Sequence, residues 1–71
     1  MSYLVTRHEL EGGNVVGSAS ARGAHIDLWR AQNEAEQLAR AHNSFMFDQE
    51  RACWQGNDSD GRSFRYFAVA L

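Results

Sequence analysis

Positions 28–42 carry apolar residues at helical spacing, and the segments on either side alternate apolar and polar residues as strands do. One helix-length run between strand-like flanks predicts a helix laid across a sheet. Leu28, Ala31, Ala35, Leu38, Ala39 and His42 recur on one face of the run, and Arg30, Asn33, Glu34, Glu36, Gln37 and Arg40 lie on the other. Glu36 precedes Arg40 by four residues, the favourable order for an ion pair along a helix. Asp27 stands where a carboxylate can accept a hydrogen bond from a free N–H of the first turn. A strand through 25–30 with the helix starting at Asn33, capped by Asn33 and Glu36, is the alternative, and the longer helix is preferred.

Upstream, positions 3–9 read as a strand rich in β-branched and aromatic residues. Glu11, Gly12, Gly13 and Asn14 then make a turn, because glycine takes positive φ at little cost, and 15–21 returns as a second strand of small side chains. Arg22, Gly23 and Ala24 break the pattern before the helix. Downstream, Asn43 and Ser44 end the helix. Phe45, Phe47, Ala52 and Trp54 read as one strand with a bulge around 48–51. A loop of turn formers from Gly56 to Gly61 precedes a closing strand at 63–71. That strand carries Phe64, Tyr66, Ala68 and Ala70 on one parity and Arg65, Phe67, Val69 and Leu71 on the other. The expected fold is α+β, a small antiparallel β-sheet with one α-helix packed on one face, in the order β-β-α-β-β. Its expected core is Phe67, Val69 and Leu71 against Leu28 and Leu38, leaving Phe64 and Tyr66 half exposed.

The 71 residues form a single compact domain, 1–71, which at this size buries only about 60% of the surface of its unfolded chain. Cys53 is the one cysteine, so no disulfide within the chain reinforces it. That usage fits a reducing, cytoplasmic setting. No charged region leads into an apolar run at the N-terminus, and no stretch approaches the ~20 apolar residues of a membrane span. A formal net charge of -2 provides no positive field to gather nucleic acid. All seven basic residues are arginine, whose planar fork suits contacts with carboxylates.

Motifs for chemistry are scarce. Asn57, Asp58, Ser59, Asp60 and Gly61 suggest a calcium loop, but in that register the first ligand position falls on Gly56 and the closing glutamate position on Phe67. His8, His25, His42 and Cys53 are a sensible zinc set chemically, yet they are scattered where structural zinc ligands come in close pairs. His42 is read instead as a partner of the helix C-terminus. Cys53 is read as a small buried hydrophobe, and no spacing suggests a catalytic triad or paired carboxylates. The expectation is therefore no enzyme, no metal and no cofactor.

The segment Arg62, Ser63, Phe64, Arg65, Tyr66 interleaves arginines with aromatics, as surfaces that stack bases and pair phosphates do. It resembles the aromatic strand of RNA-recognition motifs at Phe64 and Tyr66. It departs from that strand at Ser63 and Arg65, where glycine or alanine is usual, and one helix stands where that fold has two. Counting rings gives a second reading: Trp29, Trp54, Phe64 and Tyr66 are too many to hide beneath one short helix. Exposed aromatics beside arginine have the composition of a protein-binding hot spot. The expected function is a non-enzymatic protein-binding module, a regulator or inhibitor of the kind phages and mobile elements encode. Trp29, Trp54, Arg62, Phe64, Arg65 and Tyr66 are its contact residues, and its partner is another protein or a second copy in a homodimer. A single-stranded nucleic-acid binder using positions 62–66 is the alternative.

Overall fold

The computed structural model describes residues 1–21 and 23–71; Arg22, in the expected break before the helix, lies outside them. In chain order the elements are β1 (Tyr3–Glu11), β2 (Asn14–Ser20), α1 (Leu28–Arg40), β3 (Ser44–Asp48), β4 (Cys53–Asn57) and β5 (Ser63–Ala70). The strands form one antiparallel sheet in the order β2-β1-β5-β4-β3, with α1 packed on one face, the α+β arrangement expected. Gly12 and Gly13 turn the first hairpin at φ of 58° and 84°, which two-residue hairpin turns of the primed type require.

Where one bulged strand was expected over 45–54, the chain makes a second tight hairpin, so the sheet has five strands rather than four. Asp48 builds the turn. Its Oδ1 accepts from the backbone N–H groups of Glu50 (3.1 Å) and Arg51 (3.2 Å), and its Oδ2 accepts from Arg51 Nη1 at 2.9 Å. Ala52 closes the turn at φ 52°, in the left-handed region.

The helix begins at Leu28 as expected, but Asp27 does not cap it. Its carboxylate turns instead to Arg30, 3.4 Å away, and only its backbone carbonyl accepts, from Ala31 N–H. The last helical residue is Arg40, two before the expected end. Arg40 and Glu36 form the ion pair read from their spacing, at 2.8 Å.

The core reverses the expected parity of β5. Phe64 and Tyr66 face the helix and are 8% and 5% exposed, packed with Val5 against Ala31, Ala35 and Ala39. Phe67 and Val69 lie on the uncovered face, where Phe67 meets His8 at 5.1 Å, and Leu28, Leu38 and Leu71 are exposed. Shifting a strand by one position moves every side chain to the other face, and β5 carries large apolar groups on both. The alanine stripe decides between them. A helix that presents only methyl groups approaches closely and needs rings from the sheet to fill the space, and Phe64 and Tyr66 supply that volume.

Candidate functional site

Trp29, Gln32, Asn33 and Glu36 follow one another at helical spacing along the flank of α1. Across from them, Phe47 of β3 and Trp54 of β4 are cross-strand partners on the helix-facing side of the sheet. Between these two walls lies a groove of about 410 Å³. Its aromatic side is organised: the Phe47 and Trp54 rings meet edge to face with centroids 5.3 Å apart. Trp29 forms the outer lip, 63% exposed, and Arg30 stacks on it at 5.5 Å. The volume falls within the range of ligand sites, and the lining joins apolar rings to a few amide and carboxylate groups, as such sites do. Glu36 is already matched by Arg40, so the groove holds little uncompensated charge.

The groove lies alongside β3, which ends the sheet and leaves one row of backbone N–H and C=O groups without strand partners among the described residues. Phe45, Met46 and Phe47 are consecutive there and 41%, 54% and 41% exposed. Proteins usually blunt such an edge with lysine, proline or a bulge, and β3 has none of these. The opposite edge, β2, is interrupted by a shift in register opposite Glu9 and Leu10 and continues in glycine, serine and alanine.

Of the six residues expected to make contacts, the structure brings Trp29 and Trp54 together in the groove and puts the other four elsewhere. Phe64 and Tyr66 are sealed beneath the helix, which corrects their assignment to an accessible surface and removes the stacking pair on which base recognition at 62–66 depends. Arg62 stands over the final turn, 3.6 Å from Asp60 and 4.0 Å from Glu9. Arg65 lies on the uncovered sheet face, its Nε donating to Gln55 Oε1 at 3.5 Å. Phe47 is the groove residue that sequence reasoning missed as a contact. Its signal was present, since it alternates in parity with Met46 just before the Asp48 turn.

A second cluster had no signal in the spacing. His42, just beyond the helix, lies flat against β4 at Gly56 and stacks on Phe64 at 4.7 Å and 20°. A Cβ at position 56 would stand 2.6 Å from His42 Cγ, so only glycine leaves room for the ring. Asp58 Oδ1 is 2.8 Å from His42 Nδ1, and the Tyr66 hydroxyl is 2.6 Å from Nε2. An ionised carboxylate only accepts, so Nδ1 donates to Asp58 while Nε2 and the Tyr66 hydroxyl share the second hydrogen bond. Burial pushes the Tyr66 phenol up from its ordinary value, outweighing the pull of nearby Arg7. The chain Tyr66–His42–Asp58 clamps the end of the helix to β5 and to the turn after β4.

His25 sits elsewhere, held by backbone hydrogen bonds of 2.8 Å to Tyr3 and with its ring 3.0 Å from Glu34. Among the described residues no group of three or more His, Cys, Asp or Glu side chains comes together. Cys53 is buried on the sheet face away from the helix, and burial, reinforced by Asp48, raises its thiol above the usual range. No helix among the described residues is long and apolar enough to cross a membrane. Compared with known protein families, curated proteins and solved structures, the chain finds no match.

Proposed function

We propose that the protein is a non-enzymatic binding module that receives an extended segment of another polypeptide along the free edge of β3, with a side chain of that segment in the groove of Trp29, Phe47 and Trp54. One observation carries this reading: an unpaired strand edge with three exposed apolar residues borders a groove lined by three aromatic rings. Backbone groups in a row at 4.7–4.9 Å strand spacing are met best by another extended chain, and the side pocket provides selectivity, as in strand-addition complexes. Trp and its neighbours have the composition of hot spots, where few residues dominate affinity. A module of this kind regulates or inhibits by occupancy, keeping the captured segment from other contacts.

The test is selection of peptides from a displayed library against the whole chain, followed by amide chemical-shift mapping. Selected peptides are expected to perturb the β3 amides and to lose affinity roughly 30-fold or more in Trp29→Ala, which leaves the core untouched. Binding that maps to the uncovered sheet face, or that survives Trp29→Ala and Phe47→Ala together, overturns the proposal. A concentration-dependent dimer with protected β3 amides also overturns it, in favour of a second copy as the occupant.

A further inference from the structure

The helix packs over β1, β3, β4 and β5 but makes no contact with β2. A cleft of about 230 Å³ is left beside it, walled by Leu38 of α1 and by Ala19, Ser20 and Ala21, and floored by Val5 and Tyr66. Arg7 of β1 stands among the lining residues, its guanidinium carbon 5.5 Å from the centre of the Phe64 ring.

Arg7 differs from the other described arginines. Arg30, Arg40, Arg51 and Arg62 each have a carboxylate within 4.0 Å, and Arg65 reaches the Gln55 amide. Arg7 has neither a carboxylate nor an amide partner among the described residues. Arg7 is exposed, and its guanidinium sits over the Phe64 ring, so the donors at its edge are free in the geometry that grips a carboxylate at two points. The remaining lining is mostly small and apolar, and the Tyr66 hydroxyl is engaged by His42, so the cleft offers one cation and a short hydrophobic slot.

We infer that this cleft binds a small aliphatic monocarboxylate, its carboxylate on Arg7 and its tail between Leu38, Ala19 and Ala21. A single described cation beside a mostly apolar lining matches a ligand with one negative charge and a hydrocarbon tail. The volume is below the 300–1,000 Å³ of sites for drug-sized ligands, which limits the tail to a few carbons. The site lies on the far side of the helix from the aromatic groove, so it is independent of the polypeptide-binding reading.

The experiment is an amide chemical-shift titration of the whole chain with hexanoate, with hexanamide as the uncharged control of the same shape. Hexanoate is expected to give saturable shifts at Arg7, Ala19, Ala21 and Leu38, and hexanamide to bind at least ~10-fold more weakly. Arg7→Gln should lose affinity to the same degree. Ala19→Leu, at an exposed position of β2, should fill the slot and abolish the shifts while the core spectrum stays unchanged. Shifts that do not saturate, an equal response to the amide, or full affinity in either variant overturns the inference.

Discussion

The two ends of α1 meet the same sheet in opposite ways. At the C-terminal end the chain comes down on Gly56, and His42 fills the remaining space with a stack on Phe64 and two hydrogen bonds. Toward the N-terminal end, β4 presents Trp54 where it had presented Gly56, β3 presents Phe47, and a groove of about 410 Å³ remains open under Trp29. The helix does not change character between the two, since Ala31, Ala35 and Ala39 line its inner face throughout. Side-chain size on the sheet sets the difference: above Gly56 the His42 ring fills the space, and beside Trp54 and Phe47 aromatic surface is left uncovered.

The substitution with the largest expected effect attacks the closed end. Gly56→Ala drives a methyl group into the His42 ring, for an expected loss of about 3 kcal/mol and a fall in Tm of roughly 15 °C. Thermal unfolding followed by circular dichroism checks this, and an unchanged Tm would mean that the ring is not confined. At the open end, Trp29→Ala should behave oppositely: stability within about 0.5 kcal/mol of the parent, and affinity for a selected peptide weaker by about 2 kcal/mol. Parallel urea denaturation and calorimetric titration separate the two effects. A more modest change tests the clamp chemically. Tyr66→Phe keeps the ring but removes the hydroxyl that hydrogen-bonds His42 Nε2, for an expected loss of about 1 kcal/mol.

The smallest effect concerns the hairpin that carries Phe47 and Trp54. The hydrogen bond from Arg51 holds the Asp48 carboxyl below its ordinary value. A carboxyl whose folded value is depressed stabilises the fold above its unfolded pKa, and the contribution disappears as pH falls through the folded one. Asp48→Asn should therefore flatten the acid limb of the stability profile, and comparing urea midpoints at neutral and acid pH measures the difference. An acid limb as steep as the parent's would remove this turn from the balance.

Much of the fold was legible where an element obeys its own period. The helix shows a 3.6-residue stripe beginning at Leu28, and Gly12–Gly13 and Asn57–Gly61 are turn chemistry that any reading would mark. The second hairpin was hidden because its turn, 49–52, contains neither glycine nor proline and is organised by one aspartate side chain. The facing of β5 was hidden for another reason: rings on both parities make the binary pattern ambiguous, and only the close approach permitted by the alanines resolves it. Half of the groove could be foreseen, since exposed tryptophans were expected and Trp29 and Trp54 do meet there. The clamp could not, because His42 is separated from Asp58 by 16 residues and from Tyr66 by 24, and no local pattern links them.

Ala52 has one more consequence. A residue with a Cβ at φ 52° occupies a conformation that disfavours it by roughly 1–2 kcal/mol relative to the right-handed region. The strand pair bearing Phe47 and Trp54 is thus closed by its least comfortable link, so the outer wall of the groove should fray before the rest of the sheet. Ala52→Gly would ease that link and slow amide hydrogen exchange along β3, stiffening the wall from a position that never touches what it holds.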